Sequence, residues 1–114
     1  MTDDKLSHVN EKGEAHMVDI SQKAVTDRQA SASGVLHVKP ATILALKSGE
    51  TPKGDVLATA RIAAIQAVKN TSQLIPMCHP LPVSGATCDL DVSEDQIRAT
   101  VTVKTTGRTG VEME

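Results

Sequence analysis

No phenylalanine, tryptophan or tyrosine occurs in the 114 residues of this chain. Aromatic rings bury the most area per residue, so any interior has to be assembled from Val, Ile, Leu, Met and a large supply of Ala. Alanine contacts let backbones approach closely yet remove little apolar surface from water. One domain with a modest core is what this length supports, and extra burial against a second copy is expected. The missing rings also remove the stacking platforms that grip single-stranded nucleic acid. Charge imbalance is absent too: 12 Lys and Arg face 14 Asp and Glu, for a net charge of −2. Neither a polyanion nor a membrane surface is indicated as a partner. No apolar run approaches the length of a bilayer span, and Met1-Thr2-Asp3-Asp4-Lys5 lacks the basic start and apolar core of a signal peptide. Cysteine is scarce, with only Cys78 and Cys88. Without an export signal, these read as reduced thiols of a cytoplasmic protein. They and the four histidines are scattered without the spacing of a zinc site, so no metal is expected.

What is present has clear periodicity. Residues 1–15 are polar and read as an arm. Ala30, Ala32, Gly34, Leu36 and Val38 alternate with polar positions, which predicts a half-buried strand of small residues. Pro40 suits the first turn of a helix carrying Ile43, Leu44 and Leu46, and Ser48-Gly49 stops it. A longer helix is predicted over Asp55–Asn70. Asp55, Thr59, Gln66, Lys69 and Asn70 form its polar stripe, opposite a broad arc of Val, Leu and Ala. Arg61 falls inside that arc. Either its stem lies along the rim with the guanidinium in water, or it makes a functional or intersubunit ion pair. After Ile75–Pro82, alternation over Ala86–Val92 and Ile97–Lys104 around Ser93-Glu94-Asp95-Gln96 predicts a β-hairpin. Thr109 and Glu112 have the spacing of a capping box, which announces a helix. Strand, helix, helix, strand, strand and an incipient helix make an α+β chain. It reads as a ferredoxin-like β-α-β-β-α-β antiparallel arrangement, interrupted at its last helix, with residues 16–114 as an incomplete domain.

Four clusters carry candidate chemistry. Lys53-Gly54-Asp55 precedes the long helix, where unpaired N–H groups favour phosphate and a lysine adds charge and a proton. A solvated lysine in a helix-entry turn fits the same spacing. Met77-Cys78-His79 lies between Pro76 and Pro80-Leu81-Pro82, and prolines on both sides hold the thiol and imidazole stiffly. A Cys–His nucleophile pair requires both side chains to converge, whereas sequence neighbours usually diverge. His16-Met17-Val18-Asp19 with Lys23 forms the third cluster. Glu112-Met113-Glu114 forms the fourth, whose carboxylates are also ordinary company for a helix dipole.

Together, Gly13–Ile20 (GEAHMVDI), Lys53–Lys69 (KGDVLATARIAAIQAVK), Leu74–Leu81 (LIPMCHPL) and Thr106–Glu114 (TGRTGVEME) resemble the cyclic pyranopterin monophosphate synthases of molybdenum-cofactor biosynthesis. The resemblance runs in order from about residue 7 onward. It implies a ferredoxin-like subunit in a hexamer built as a trimer of dimers, with sites at subunit interfaces and no cofactor. It also implies a lyase converting 3′,8-cyclo-7,8-dihydro-GTP to cyclic pyranopterin monophosphate and diphosphate. On this likeness Lys53 is catalytic. Met77, Cys78, His79, Glu112, Met113 and Glu114 contact substrate, and Asp19, Lys23 and Arg28 line the same site. The family's further catalytic Asp and second Lys have no counterpart among the 114 residues. The competing expectation is a non-catalytic nucleotide-binding fragment or assembly partner.

Overall fold

The computed structural model describes residues 11–49, 51–52 and 54–114. Five elements follow in order: strand β1 (Thr26–His37), helix α1 (Pro40–Ser48), helix α2 (Val56–Leu74), and strands β2 (Val83–Val92) and β3 (Gln96–Gly107). The sheet runs β1-β3-β2, with β3 antiparallel to both neighbours. β1 and β2 are therefore parallel to each other, joined through the helices, with β3 inserted between them. This is the split β-α-β of a ferredoxin-like arrangement, and the α+β expectation holds for the described residues.

The helix boundaries follow local chemistry. Gly49 closes α1 in the left-handed region at φ 76°, its N–H reaching the carbonyls of Ala45 and Leu46. Asp55 caps α2 by accepting from Ala58 N at 3.0 Å. α2 runs to Leu74, four residues past the predicted end at Asn70. The polar residues there are compatible with helix: the Thr71 hydroxyl donates to Ala67 O at 2.6 Å instead of competing for the chain. Pro76 forces the stop, since it holds Ile75 extended.

The strands also begin earlier than their alternation suggests, for two separate reasons. In β1, Arg28 occupies a core-side position opposite Thr105 and donates from Nε to Gly107 O at 3.3 Å. A charge there hides the strand pattern. In β2, a bulge between Val83 and Gly85 shifts the register. Val83 and Ala86 consequently share one face, at a spacing that simple alternation misses.

Val101, Val103 and Thr105 of β3 face the core between Ala30 and Ala32 of β1 and Ala86 and Cys88 of β2. Val68 from α2 packs on them with Val111. Thr105, buried among apolar neighbours, satisfies its hydroxyl by donating to Pro82 O. The opposite face is polar, with Ser31 bonded to Thr102 at 2.7 Å and Thr106 to Asp27 at 2.7 Å. A one-sided antiparallel sheet is expected to look this way.

α2 buries a narrower stripe than its apolar arc. Leu57, Ala64, Ile65 and Val68 are turned inward, while Ala60, Ala63, Ala67 and Ile62 remain exposed. Arg61 lies on the inward line, and its Nε donates to Cys88 O of edge strand β2 at 3.0 Å. An exposed arginine on that line thus ties helix to sheet through its Nε.

The helix announced by Thr109 and Glu112 does not form: residues 108–114 pass through bends. A helical nucleus fixes several residues for its first hydrogen bond, so one turn does not hold itself together in water; Val111 in this segment is nonetheless buried. Among the described residues no helix is long and apolar enough to cross a membrane.

Replacing Asp55 by Ala is expected to lower unfolding stability by about 1 kcal/mol, and by Ser much less. Urea midpoints at unchanged slope would measure this; equal midpoints for Ala and wild type would remove the capping role.

Candidate functional site

Three segments converge below the end of the sheet. The first runs from Val18 to Lys23 and is folded by its own side chains. Asp19 Oδ1 accepts from Ser21 N at 2.9 Å, and Lys23 N donates to Ile20 O at 3.0 Å. The Ser21 backbone N–H, followed by its hydroxyl, holds the Asp19 carboxyl below its ordinary range, with His79 adding a smaller pull. The second segment is the proline-flanked loop after α2, where Cys78 N closes a turn on Ile75 O at 3.1 Å. The third is Thr109–Glu114, fixed to the core through Val111, which is 1% exposed.

Two side-chain hydrogen bonds join these segments. His79 Nε2 lies 2.7 Å from Val18 O. A carbonyl only accepts, so Nε2 carries the proton and the imidazole straps the first segment to the second. Cys78 Sγ donates to Glu114 Oε2 at 2.7 Å, linking the second segment to the third. Burial first, and then the Glu114 carboxylate, push the Cys78 thiol up to about 12. Cys78 therefore stays protonated at neutral pH, which argues against a thiolate nucleophile. Both cysteines are free and buried.

Between the segments lies a cleft of about 260 Å³. Of the residues singled out in the sequence, it gathers Lys23, Met77, Cys78 and His79 on one side and Glu112, Met113 and Glu114 on the other. Asp19 lies in an adjoining groove shared with Arg108, separated from the cleft by the His79–Val18 strap. Arg28 is not brought in: it borders a separate depression with Asp27 and Lys104. Lys53 lies outside the described residues. Val18, Ile20, Leu81 and Gly110 line the cleft without having been expected there. Val18 acts through its backbone carbonyl, for which side-chain chemistry gives no signal.

The cleft thus offers one ammonium, two carboxylates, a neutral thiol and an imidazole on a partly apolar floor. Such a set can bind a polar heterocycle through donors and acceptors and exchange protons with it.

Fold and cleft define an α+β domain of split β-α-β type with one polar cleft between its loops. Residues 17–114 match the model of the MoaC family, and the chain belongs to that family. A cyclic pyranopterin monophosphate synthase of Streptomyces griseus is 56% identical over 113 residues, covering 99% of this chain and 64% of that protein. One from Herpetosiphon aurantiacus is 54% identical over 111 residues, covering 96% and 68%. Cyclic pyranopterin monophosphate synthase 2 of Mycobacterium tuberculosis is 51% identical over 110 residues, covering 96% and 66%. The chain spans about two thirds of the length of these curated relatives.

His79→Ala should free residues 18–23 while leaving the sheet intact. Loss of a hydrogen bond of about 1 kcal/mol corresponds to roughly fivefold faster amide exchange in that segment. Unchanged exchange there, or equal acceleration throughout β3, would contradict the strap.

Proposed function

We propose that this chain provides the substrate cleft of a cyclic pyranopterin monophosphate synthase. This lyase converts 3′,8-cyclo-7,8-dihydro-GTP to cyclic pyranopterin monophosphate and diphosphate in molybdenum-cofactor biosynthesis. The observation that carries the reading is the convergence, around one cleft, of the three described segments that resemble the family's site motifs. Residues 16–114 are the synthase domain in this reading, and 1–15 its arm. Met77, Cys78, His79, Glu112, Met113 and Glu114 contact the substrate, Lys23 supplies positive charge, and Lys53 moves a proton as general acid or base. Asp19 approaches from the adjoining groove, while Arg28 stays at its separate depression. No cofactor is invoked.

The chemistry assigns distinct tasks to these groups. Opening a purine ring and closing a pyrazine ring require protons to be taken and returned at different atoms. Closing the cyclic phosphate expels diphosphate, whose charge needs cations. Glu112 and Glu114 accept hydrogen bonds from ring and amino N–H groups, which leaves phosphate contacts to Lys23 and Lys53. The family's later Asp and second Lys belong to the part of the relatives that these 114 residues do not span, so they come from outside residues 1–114. We place the protein in the cytoplasm as a homohexamer, a trimer of dimers. Leu36, Leu44, Ile62 and Leu74 are each at least 60% exposed, which supports association.

The competing reading is a non-catalytic nucleotide-binding fragment or assembly partner. An assay separates the two. The 114-residue chain, alone and with a polypeptide carrying the remaining third of a relative, is incubated with 3′,8-cyclo-7,8-dihydro-GTP. Alone it should give negligible product; the pair should form cyclic pyranopterin monophosphate. Lys53→Ala in the pair should lower turnover by ~10²–10⁴-fold without loss of fold. Substrate binding without product in every combination would leave the non-catalytic reading standing.

Sedimentation at micromolar concentration should also show a stable oligomer. A well-folded monomer with a cooperative thermal transition would contradict the hexamer.

A further inference from the structure

Cys78 is 6% exposed, and its sulfur lies 2.7 Å from one carboxylate oxygen of Glu114. The two partners are held very differently. Cys78 belongs to a turn closed on Ile75 O and bracketed by Pro76 and Pro80. Glu114 follows three residues after its nearest core anchor, Val111, on a segment without helix or strand. The thiol is thus held by its own backbone turn, and the carboxylate side chain by its contact with the thiol. A carboxylate only accepts, so the S–H is the donor. The other acceptor near Sγ, His79 O, is farther away at 3.6 Å.

We propose that Cys78 is a positioning residue: its S–H fixes the orientation of the Glu114 carboxylate in the cleft, so that the free carboxylate oxygen is presented to the substrate. The catalytic value of this arrangement rests on the synthase reading; the hydrogen bond itself does not. A protonated thiol suits the task, because it donates without adding charge beside an anionic substrate. A thiolate there would repel Glu114 and free it. The neighbouring carboxylate and the burial together protect the neutral form. Rotational freedom removed from Glu114 before binding need not be removed on binding, which is how a preorganised acceptor gains.

Thiol chemistry tests the contact without substrate. Iodoacetamide labelling of the 114-residue chain is followed by site-resolved mass spectrometry across alkaline pH. Glu114→Gln removes the charge that helps hold the thiol protonated. Its Cys78 should react roughly tenfold faster near pH 9, for a shift of about one unit, with the rate curve displaced to lower pH. Cys88 serves as the internal control of fold. Equal Cys78 rates in the two proteins, with Cys88 unchanged, would overturn the contact. Should Cys88 also accelerate, the unmutated chain decides. The Raman S–H band of Cys78, assigned by its loss in Cys78→Ala, should lie at the low frequency of a hydrogen-bonded thiol, and a free-thiol frequency overturns the proposal. Positioning is then read in the complemented enzyme. Cys78→Ser, which keeps a donor, should retain at least about tenfold more kcat/KM than Cys78→Ala. Equal losses would leave the hydrogen bond without a catalytic role, whereas absent turnover in the unmutated pair would sink the synthase reading and leave the labelling contrast intact.

Discussion

Val68 of α2, Val103 of β3 and Val111 of the last segment bury against one another, with 3%, 3% and 1% of their surfaces exposed. This is the contact on which the other features depend, because it joins the helix layer, the centre of the sheet and the cleft. Each valine contributes about 1.5–3 kcal/mol when fully buried. No aromatic ring is present to supply a larger anchor. The register places Ala30 and Ala86 on either side of Val103, and their small side chains let Val68 approach the sheet. An alanine-flanked valine is thus the substitute for a ring at the centre of this fold.

The fold was legible in the sequence wherever one period governed a segment. Ala86–Val92 and Ile97–Lys104 alternate, and the structure pairs them as read. Gly49 ends α1 in the left-handed region that its position suggested. The failures have separate physical causes. Arg28 on the core side and the bulge at Ser84 broke the alternation at strand starts, and Thr71 stayed helical by bonding backward. Of the site, the residue types were legible because thiol, imidazole and carboxylates carry chemistry in their side chains. Their partners were not, since Val18 participates through its carbonyl and Cys78 meets Glu114 across 36 positions.

The cleft is assembled almost without regular structure, yet each of its segments is tied to a rigid element. The proline loop leaves the end of α2, and the Thr109–Glu114 segment leaves the end of β3. The Val18–Lys23 segment enters β1 a few residues later and is strapped by His79. Loops positioned by a scaffold are where binding groups concentrate, because their backbone is not already committed to ladders. Membership of the MoaC family accounts for these motifs being present in one chain. The physical account of their convergence is the sheet order β1-β3-β2, which brings the start of β1 beside the end of β3.

Burial and site order draw on the same free energy. The chain exposes 8330 Å², whereas a folded monomer of 12.0 kDa exposes roughly 6000 Å². Among the described residues, apolar surface on α2 and on the far half of β1 remains in contact with water, including Ile62 and Leu36. Folded domains are stable by only about 5–15 kcal/mol, so a core of a few valines gains heavily from any surface that covers those faces. Val111 belongs to that core and lies next to Glu112 in the chain, with Glu114 two residues further on. Val68, Val103 and Val111 are already shielded from water, so the gain from covering those faces lies in Ile62, Leu36 and their like. Whatever holds Val111 in that core also fixes where Glu112 and Glu114 enter the cleft.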